Sequence, residues 1–137
     1  GVPSNSFNQE NSKNIEILKN IMVNDKNQEL GLGEINLINN KNDLIVLVKS
    51  EEPLITISGW IRNQNNETIN DIFLIVDEEP FLKIKLLDTN ELTLNQKGSW
   101  STSFFSGYLE KGCHIIQVVG VNSDKIILIN QQKELCL

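Results

Sequence analysis

The sequence predicts an all-β protein: an antiparallel β-sandwich of about seven strands, preceded by an N-terminal arm or short helix. Three observations carry this. From residue 43 onward, apolar and β-branched residues come in short runs separated by polar turns. No helical periodicity follows residue 22. The length of 137 residues suits one domain, with a core large enough to hold without help. Residues 1–33 read as a flexible leader and docking arm, and residues 34–137 as the sandwich domain.

The leader, residues 1–14, is rich in Asn, Ser and Gln and lacks the apolar surface needed to offset ordering. Ile15, Leu18, Ile21 and Met22 then fall at helical spacing. A segment that short must dock on something. Residues 24–33 are loop-like, and residues 34–39 alternate well enough for a short strand. Gly31-Leu-Gly33 lacks the third glycine and the following helix of a phosphate loop.

The strands follow in order. Residues 44–49 are apolar on both faces, and Glu51-Glu52-Pro53 ends them. Residues 54–61 alternate, with Ile55, Ile57 and Gly59 on one face and Trp60 turned outward. A polar loop spans 63–70. Residues 71–76 form the next strand, with a turn at Asp77-Glu-Glu-Pro80. Residues 81–87 follow, Lys83 and Lys85 marking a solvent face. Residues 92–95 are short, and residues 100–105 follow the turn at Gly98. Residues 113–121 form the longest strand, with Cys113, Ile115, Gln117, Val119 and Val121 opposite His114, Ile116, Val118 and Gly120. Residues 125–129 close a hairpin with it.

Composition narrows function. With 39% hydrophobic and 22% charged residues, the chain is an ordinary globular one. Its formal charge of −6 repels phosphate backbones, so no nucleic-acid partner is expected. No apolar run approaches the ~20 residues of a membrane span, so this segment is expected not to insert in a membrane. No signal peptide is expected within it either, although a start at Gly1-Val2-Pro3 without methionine is compatible with removal of one.

The chemistry-bearing residues are few. His114 is the only histidine. Its neighbour Cys113 points to the other face of a strand, so the two cannot share a proton. A half-buried, hydrogen-bonded histidine at the mouth of the core is the better reading. Asp77-Glu78-Glu79 and Glu51-Glu52 read as solvated turn charges, because nothing around them fits a calcium loop. Cys113, Cys136 and His114 match no zinc spacing, and the two cysteines read either as one disulfide or as two free thiols. No catalytic residue, cofactor or metal is expected. Among the aromatics, Trp100 and Phe104 share a core face, while Trp60, Phe105 and Tyr108 are available to stack on a sugar ring. Asn66-Glu-Thr68 fits the glycosylation acceptor pattern.

Several of these pieces resemble a family. Leu109-Glu-Lys-Gly112, then His114, Ile116, Val118, Gly120 and Asn122 at every second place, is similar to a pattern common in bacterial immunoglobulin-like modules, including fibronectin-III-like ones. Ile55-Thr-Ile-Ser-Gly-Trp60, Ile72-Phe-Leu-Ile-Val-Asp77 and Gly98-Ser-Trp100 through Phe104 resemble other parts of that family, in the same order. The resemblance covers residues 43–137. Two features depart from it: Glu78 stands where the family has Gly, and the 63–70 loop is long.

The resemblance implies an immunoglobulin-like fold and an extracytoplasmic place: periplasm, cell surface or secreted. It implies a non-catalytic binding or spacer module, with another domain, a protein or a glycan as partner. The alternatives are an accessory domain of a larger envelope enzyme, such as a glycosyltransferase or hydrolase, and a lectin-like module. An envelope location permits a Cys113–Cys136 disulfide. With a tight turn at Asn122-Ser123, Cys113 falls opposite Gln132, four places short of Cys136, so the tail must bend back or the turn widen. The family pattern also leaves Ile115, Val119 and Val121 pointing away from the core. Such side chains left in water forgo ~1.5–3 kcal/mol each, so a cover is expected. The Ile15-Leu18-Ile21-Met22 arm is the internal candidate, and a partner domain or second copy the external one.

Overall fold

The structure, a computed structural model, describes residues 2–22, 27–85, 97–123 and 125–137, with helix side chains from Asn11 onward. It is predominantly β, with one long helix, α1 (Val2–Met22). Ten strands follow among the described residues: β1 (Gln28–Leu30), β2 (Leu32–Ile38), β3 (Ile45–Leu47), β4 (Leu54–Arg62) and β5 (Asp71–Val76). The second half contributes β6 (Glu79–Ile84), β7 (Ser99–Phe105), β8 (Cys113–Asn122), β9 (Lys125–Leu128) and β10 (Lys133–Cys136). The short run expected at 92–95 lies outside the described residues.

The strands form two sheets. In the smaller, the order is β2-β4-β7. In the larger, β8 is central, with β5 along one side and β9 and β10 sharing the other end to end. Beyond these lie β6 next to β5, β1 next to β9 and β3 next to β10. The sheets face each other over one core. Ile35, Ile55, Ile57 and Ile61 come from the smaller sheet and Ile72, Leu74, Ile116 and Val118 from the larger, with Trp100 and Phe104 between.

The sequence predicts antiparallel pairing throughout, but β1–β9 and β3–β10 are parallel. The N-terminal edge is not one strand. The chain lays β1 on the larger sheet, crosses to the smaller for β2, then returns for β3. Gly31 marks the first crossing, where a Cβ would lie 2.4 Å from Ile127 Cγ2 and 2.5 Å from the Arg62 carbonyl oxygen. That close approach explains Gly31. Strands β1 and β3 are three residues each, too short to show an alternating pattern. Strands β1 and β2 also both start before residue 34, where the sequence places the domain boundary.

Two pieces of the family-like pattern meet in the core. Gly59 is the register partner of Trp100. A Cβ on Gly59 would come 2.2 Å from the Glu34 carbonyl oxygen and 2.8 Å from the Trp100 ring. The glycine therefore makes room both for the indole and for β2.

The arm is a helix from Val2, not a flexible leader. Leu18 is fully buried in a second cluster with Phe73, Ile75, Val119, Val121 and Ile126, and Ile21 and Met22 pack against it. Docking of those turns meets the cost of nucleation, and propagation toward the N-terminus then adds one hydrogen bond per residue fixed. This is why a polar stretch with poor intrinsic propensity is helical. Asn11 has a second role. Its Nδ2 donates to the Phe81 carbonyl oxygen at 2.9 Å, and its Oδ1 accepts from the Lys83 N–H at 3.2 Å. One carboxamide thus stands in for a neighbouring strand along β6, which among the described residues pairs only with β5. Covering an edge in this way suppresses edge-to-edge association.

The Cys113–Cys136 disulfide is formed. The four-place discrepancy in register has two equal causes. Asn122 pairs with Lys125, so the turn sits one residue later than a tight turn at Asn122-Ser123 and shifts the partner by two. Between Leu128 and Lys133 the register slips by two more: Val119 faces Leu128, but Ile116 faces Lys133. Cys136 thereby lands directly opposite Cys113. Gly112 and Leu137 exchange both backbone hydrogen bonds, so the next pair along is a non-hydrogen-bonded one, where side chains come closest. A loop of 23-residue separation stabilises by about 3 kcal/mol on the chain-entropy model.

Candidate functional site

Alternation along β4 turns Leu54, Thr56, Ser58, Trp60 and Arg62 away from the core, while Ile55, Ile57, Gly59 and Ile61 are buried. Their partners on β7 share that outer face: Phe105 opposite Leu54, Ser103 opposite Thr56 and Ser101 opposite Ser58. The face therefore has an aromatic at each end and hydroxyls between. Thr56 Oγ1 and Ser103 Oγ are 2.8 Å apart. Leu54 to Trp60 is six residue steps, about 20 Å along an extended strand.

Trp60 is held by its neighbours. The Arg62 guanidinium lies 4.6 Å from the ring centroid, and the indole N–H donates to Glu34 Oε1 at 3.4 Å. Arg62 is itself anchored, Nε donating to the Lys97 carbonyl oxygen and a terminal nitrogen to Asn66 Oδ1, both at 2.9 Å. The amide of the Asn66 acceptor pattern is thus engaged with Arg62. At the other end Phe105 is 60% exposed and Tyr108 46%, their rings edge-to-face at 6.2 Å. Trp100 and Phe104 are core, as their alternation requires.

No family model, curated protein or solved structure matches this chain.

His114 and Asp77, noted separately in the sequence, are brought together. His114 Nδ1 is 2.7 Å from Asp77 Oδ2, and Nε2 is 2.7 Å from the Glu110 carbonyl oxygen. The second Asp77 oxygen accepts the Ile115 N–H at 2.8 Å. Asp77 and Glu78 are the two central residues of the β5–β6 turn, since Val76 pairs with Glu79. Both have positive φ, 51° and 68°, as a type I′ turn requires. Glu78 holds a conformation that glycine adopts more cheaply. Glu79 and Pro80, expected in the turn, belong to β6 instead, an edge strand that tolerates proline.

Both histidine nitrogens face acceptors, an arrangement satisfied in full only by the imidazolium. The Glu110 carbonyl and the Asp77 carboxylate accordingly raise the His114 pKa above its ordinary 6.5. The Ile115 N–H and the His114 ring lower that of Asp77 below its ordinary 3.8. The raised histidine pKa makes its contribution to stability complete below the unfolded-state value. That contribution is lost as pH rises through the folded value. For Asp77 the sense is opposite: its contribution is present above the unfolded value and lost as pH falls through the lowered one. The latch is strongest between the two. A His114→Gln chain is expected to lose the decline in unfolding free energy that His114 gives the parent as pH rises from the ordinary histidine value of 6.5 through its raised folded-state value. Urea titrations at several pH values measure this, and parallel pH profiles for the two chains would refute it. The pair's further hydrogen-bond partners are backbone groups, the Glu110 carbonyl and the Ile115 N–H, so the contacts tie the β5–β6 turn to β8 as a latch.

On the outer face of the larger sheet, Val119 and Val121 lie under the chain's own helix. Ile115 is half-buried beyond it, opposite Glu134 and near the disulfide. Cys113, Cys136 and Glu134 bring metal-ligating atoms within 4.8 Å of one another, but the bridge removes both thiolates as ligands. No described helix is long and apolar enough to cross a membrane.

Sequence reasoning missed Glu34 and Arg62 as neighbours of Trp60. Arg62 shares the outward face of β4 with Trp60 at the i+2 position, which alternation alone places there; the Glu34–Trp60 pair depends on the β2–β4 register, which nothing local in the sequence specifies.

Proposed function

We propose that this chain is a non-catalytic binding module with an immunoglobulin-like fold that presents the outer face of its smaller sheet to an extended glycan outside the cytoplasm. The observation that carries this is the row from Trp60 through Ser58, Ser101, Thr56 and Ser103 to Phe105 and Tyr108 on one face. Aromatic faces stack on the apolar faces of sugar rings, and hydroxyls exchange hydrogen bonds with sugar hydroxyls. A stretch of about 20 Å spans several sugar units. The anchored Arg62–Trp60 stack limits the entropy lost on binding.

Strand arrangement supports the fold assignment. β4 pairs β7 in one sheet, and β5, β8 and the β9/β10 strand pair in the other, matching the B–E and C–F–G sets of an immunoglobulin-like sandwich, with β6 as an added strand beside β5. The disulfide supports the location, because such bridges persist in oxidising compartments. A protein or neighbouring domain is the second reading. It is favoured by Ile45 and Leu47, exposed at 56% and 67% along β3, an edge strand among the described residues, and by Leu44 just before it, exposed at 69%.

The test is a glycan array followed by calorimetry on the oligosaccharides that bind. Affinity is expected to rise with chain length up to about four to six sugars. Trp60→Ala and Phe105→Ala should each weaken binding about tenfold, or roughly 1.4 kcal/mol, with melting temperature unchanged. An array with no signal would leave the protein-partner reading in its place.

A further inference from the structure

At the Phe105–Tyr108 end of that face, the chain forms a cleft of about 230 Å³ lined by Lys49, Ser50, Ser106, Gly107 and Lys111, with Val48, Leu109 and Leu137 completing its walls. Its charge is unusual for this molecule. The protein carries −6 overall, yet both ionisable side chains in the lining are lysines. The ion pairs among the described residues involve Lys19, Lys83, Lys125 and His114, and neither Lys49 nor Lys111. Two exposed ammonium groups with no ion-pair partner among the described residues thus border one concavity, and an anion in it would meet both. Ser50 and Ser106 add hydroxyl groups, and Val48 is a buried apolar wall. Glu51 and Glu110 are sequence neighbours of this lining but not part of it; Ser50 Oγ lies 3.4 Å from Glu51 Oε2.

We infer that this cleft takes the anionic substituent of an acidic saccharide, a carboxylate or a sulfate or phosphate ester, while the rest of the ligand lies along the sheet face. Ser106 and Gly107, which line the cleft, fall between Phe105 and Tyr108 in the chain, so cleft and terminal aromatic pair share one short segment. The volume is below that of a drug-sized ligand site, which suits one substituent or ring. Lysines act as point charges and impose no planar geometry, so they accept any of these anions. The identity of the ligand as a saccharide rests on the glycan reading above; the anion site itself does not.

The test is a titration followed by backbone amide chemical shifts, with glucuronate, glucose and inorganic sulfate as separate probes. It is run on the chain ending at Leu137 and on one extended by a short Gly-Ser tail, so that a terminal carboxylate does not compete. Glucuronate is expected to shift the amides of Ser50, Ser106, Gly107 and Lys111 saturably, with a Kd on the order of a millimolar, because exposed charge pairs are individually weak. Glucose should leave those amides unmoved. Lys49→Gln/Lys111→Gln should weaken the response about tenfold while amides elsewhere keep their positions, which shows that the fold is intact. Shifts with sulfate as well as glucuronate support recognition by charge; shifts with glucuronate alone support a sugar acid. Sulfate alone overturns the saccharide assignment. No saturable shift with either anion, or an undiminished response in the double variant, overturns the site. Failure of neutral oligosaccharides to bind the sheet face leaves this titration unaffected, so the two readings fail separately.

Discussion

A Leu18→Asp chain should lose at least about 4 kcal/mol of stability and expose a surface that binds hydrophobic dyes. Leu18 has no exposed surface, and its neighbours are Phe73, Ile75, Val119, Val121 and Ile126. An aspartate there is ionised at neutral pH and has no described partner, so the helix must leave the sheet or the carboxyl must stay protonated. Undocking uncovers those five side chains, each stabilised by ~1.5–3 kcal/mol through burial. It also withdraws Asn11 from the β6 edge, leaving the Phe81 carbonyl and the Lys83 N–H open to another strand. The inter-sheet core is a separate cluster, so the variant should remain folded but self-associate. Deleting residues 1–24 should act alike. Thermal melts, dye fluorescence and solution mass check this; no change in all three would mean that the helix does not cover the sheet.

Lys133→Met should cost about 3 kcal/mol or more, although nothing in the sequence singles Lys133 out. Its side chain is buried, and Nζ donates to three backbone carbonyl oxygens: Asn42 at 2.7 Å, Asp43 at 3.1 Å and Asn36 at 3.3 Å. Asn36 sits at the β2 irregularity, where the register with β4 shifts, and Asn42 and Asp43 lead into β3. One ammonium thus joins the end of β2 and the approach to β3 onto β10. Burial lowers its pKa, opposed by the charges of Asp43 and Glu34. Methionine matches the length but donates nothing, leaving three carbonyls without this partner. Lys133→Arg should fail as well, because a planar fork does not fit acceptors arranged around a point. Gln131 reinforces the same junction, its carboxamide accepting the Ile35 N–H and donating to the Ile35 carbonyl oxygen. A urea midpoint unchanged in Lys133→Met would show that the carbonyls are satisfied elsewhere.

Taken alone, the sequence determined β4, whose alternation over nine residues survives any tertiary arrangement that buries one face, and β5, β7 and β8 as apolar or β-branched runs bounded by turn residues, β5 being buried on both faces. It likewise put Ile116 and Val118 on one face and Val119 and Val121 on the other, the family resemblance rather than the alternation naming the inward one, and it made the Ile15–Met22 stripe a candidate cover. It also offered Trp60 and Phe105 as outward aromatics, but as separate residues. Only the tertiary structure decided that Leu54 faces Phe105 and Ser58 faces Ser101, which places both aromatics on one face with hydroxyls between. Register is a relation between two strands, and neither strand contains it. The same holds for the His114–Asp77 latch, 37 residues apart, and for Lys133, whose acceptors are backbone atoms of distant residues and leave no mark on side-chain identity. The parallel pairs were equally invisible, because β1 and β3 are three residues each and their partners are chosen by where the chain crosses between sheets. Local periodicity reports which way a side chain points. What it meets is set by contacts between residues far apart in the chain, and those exist only once the sheets have closed on each other.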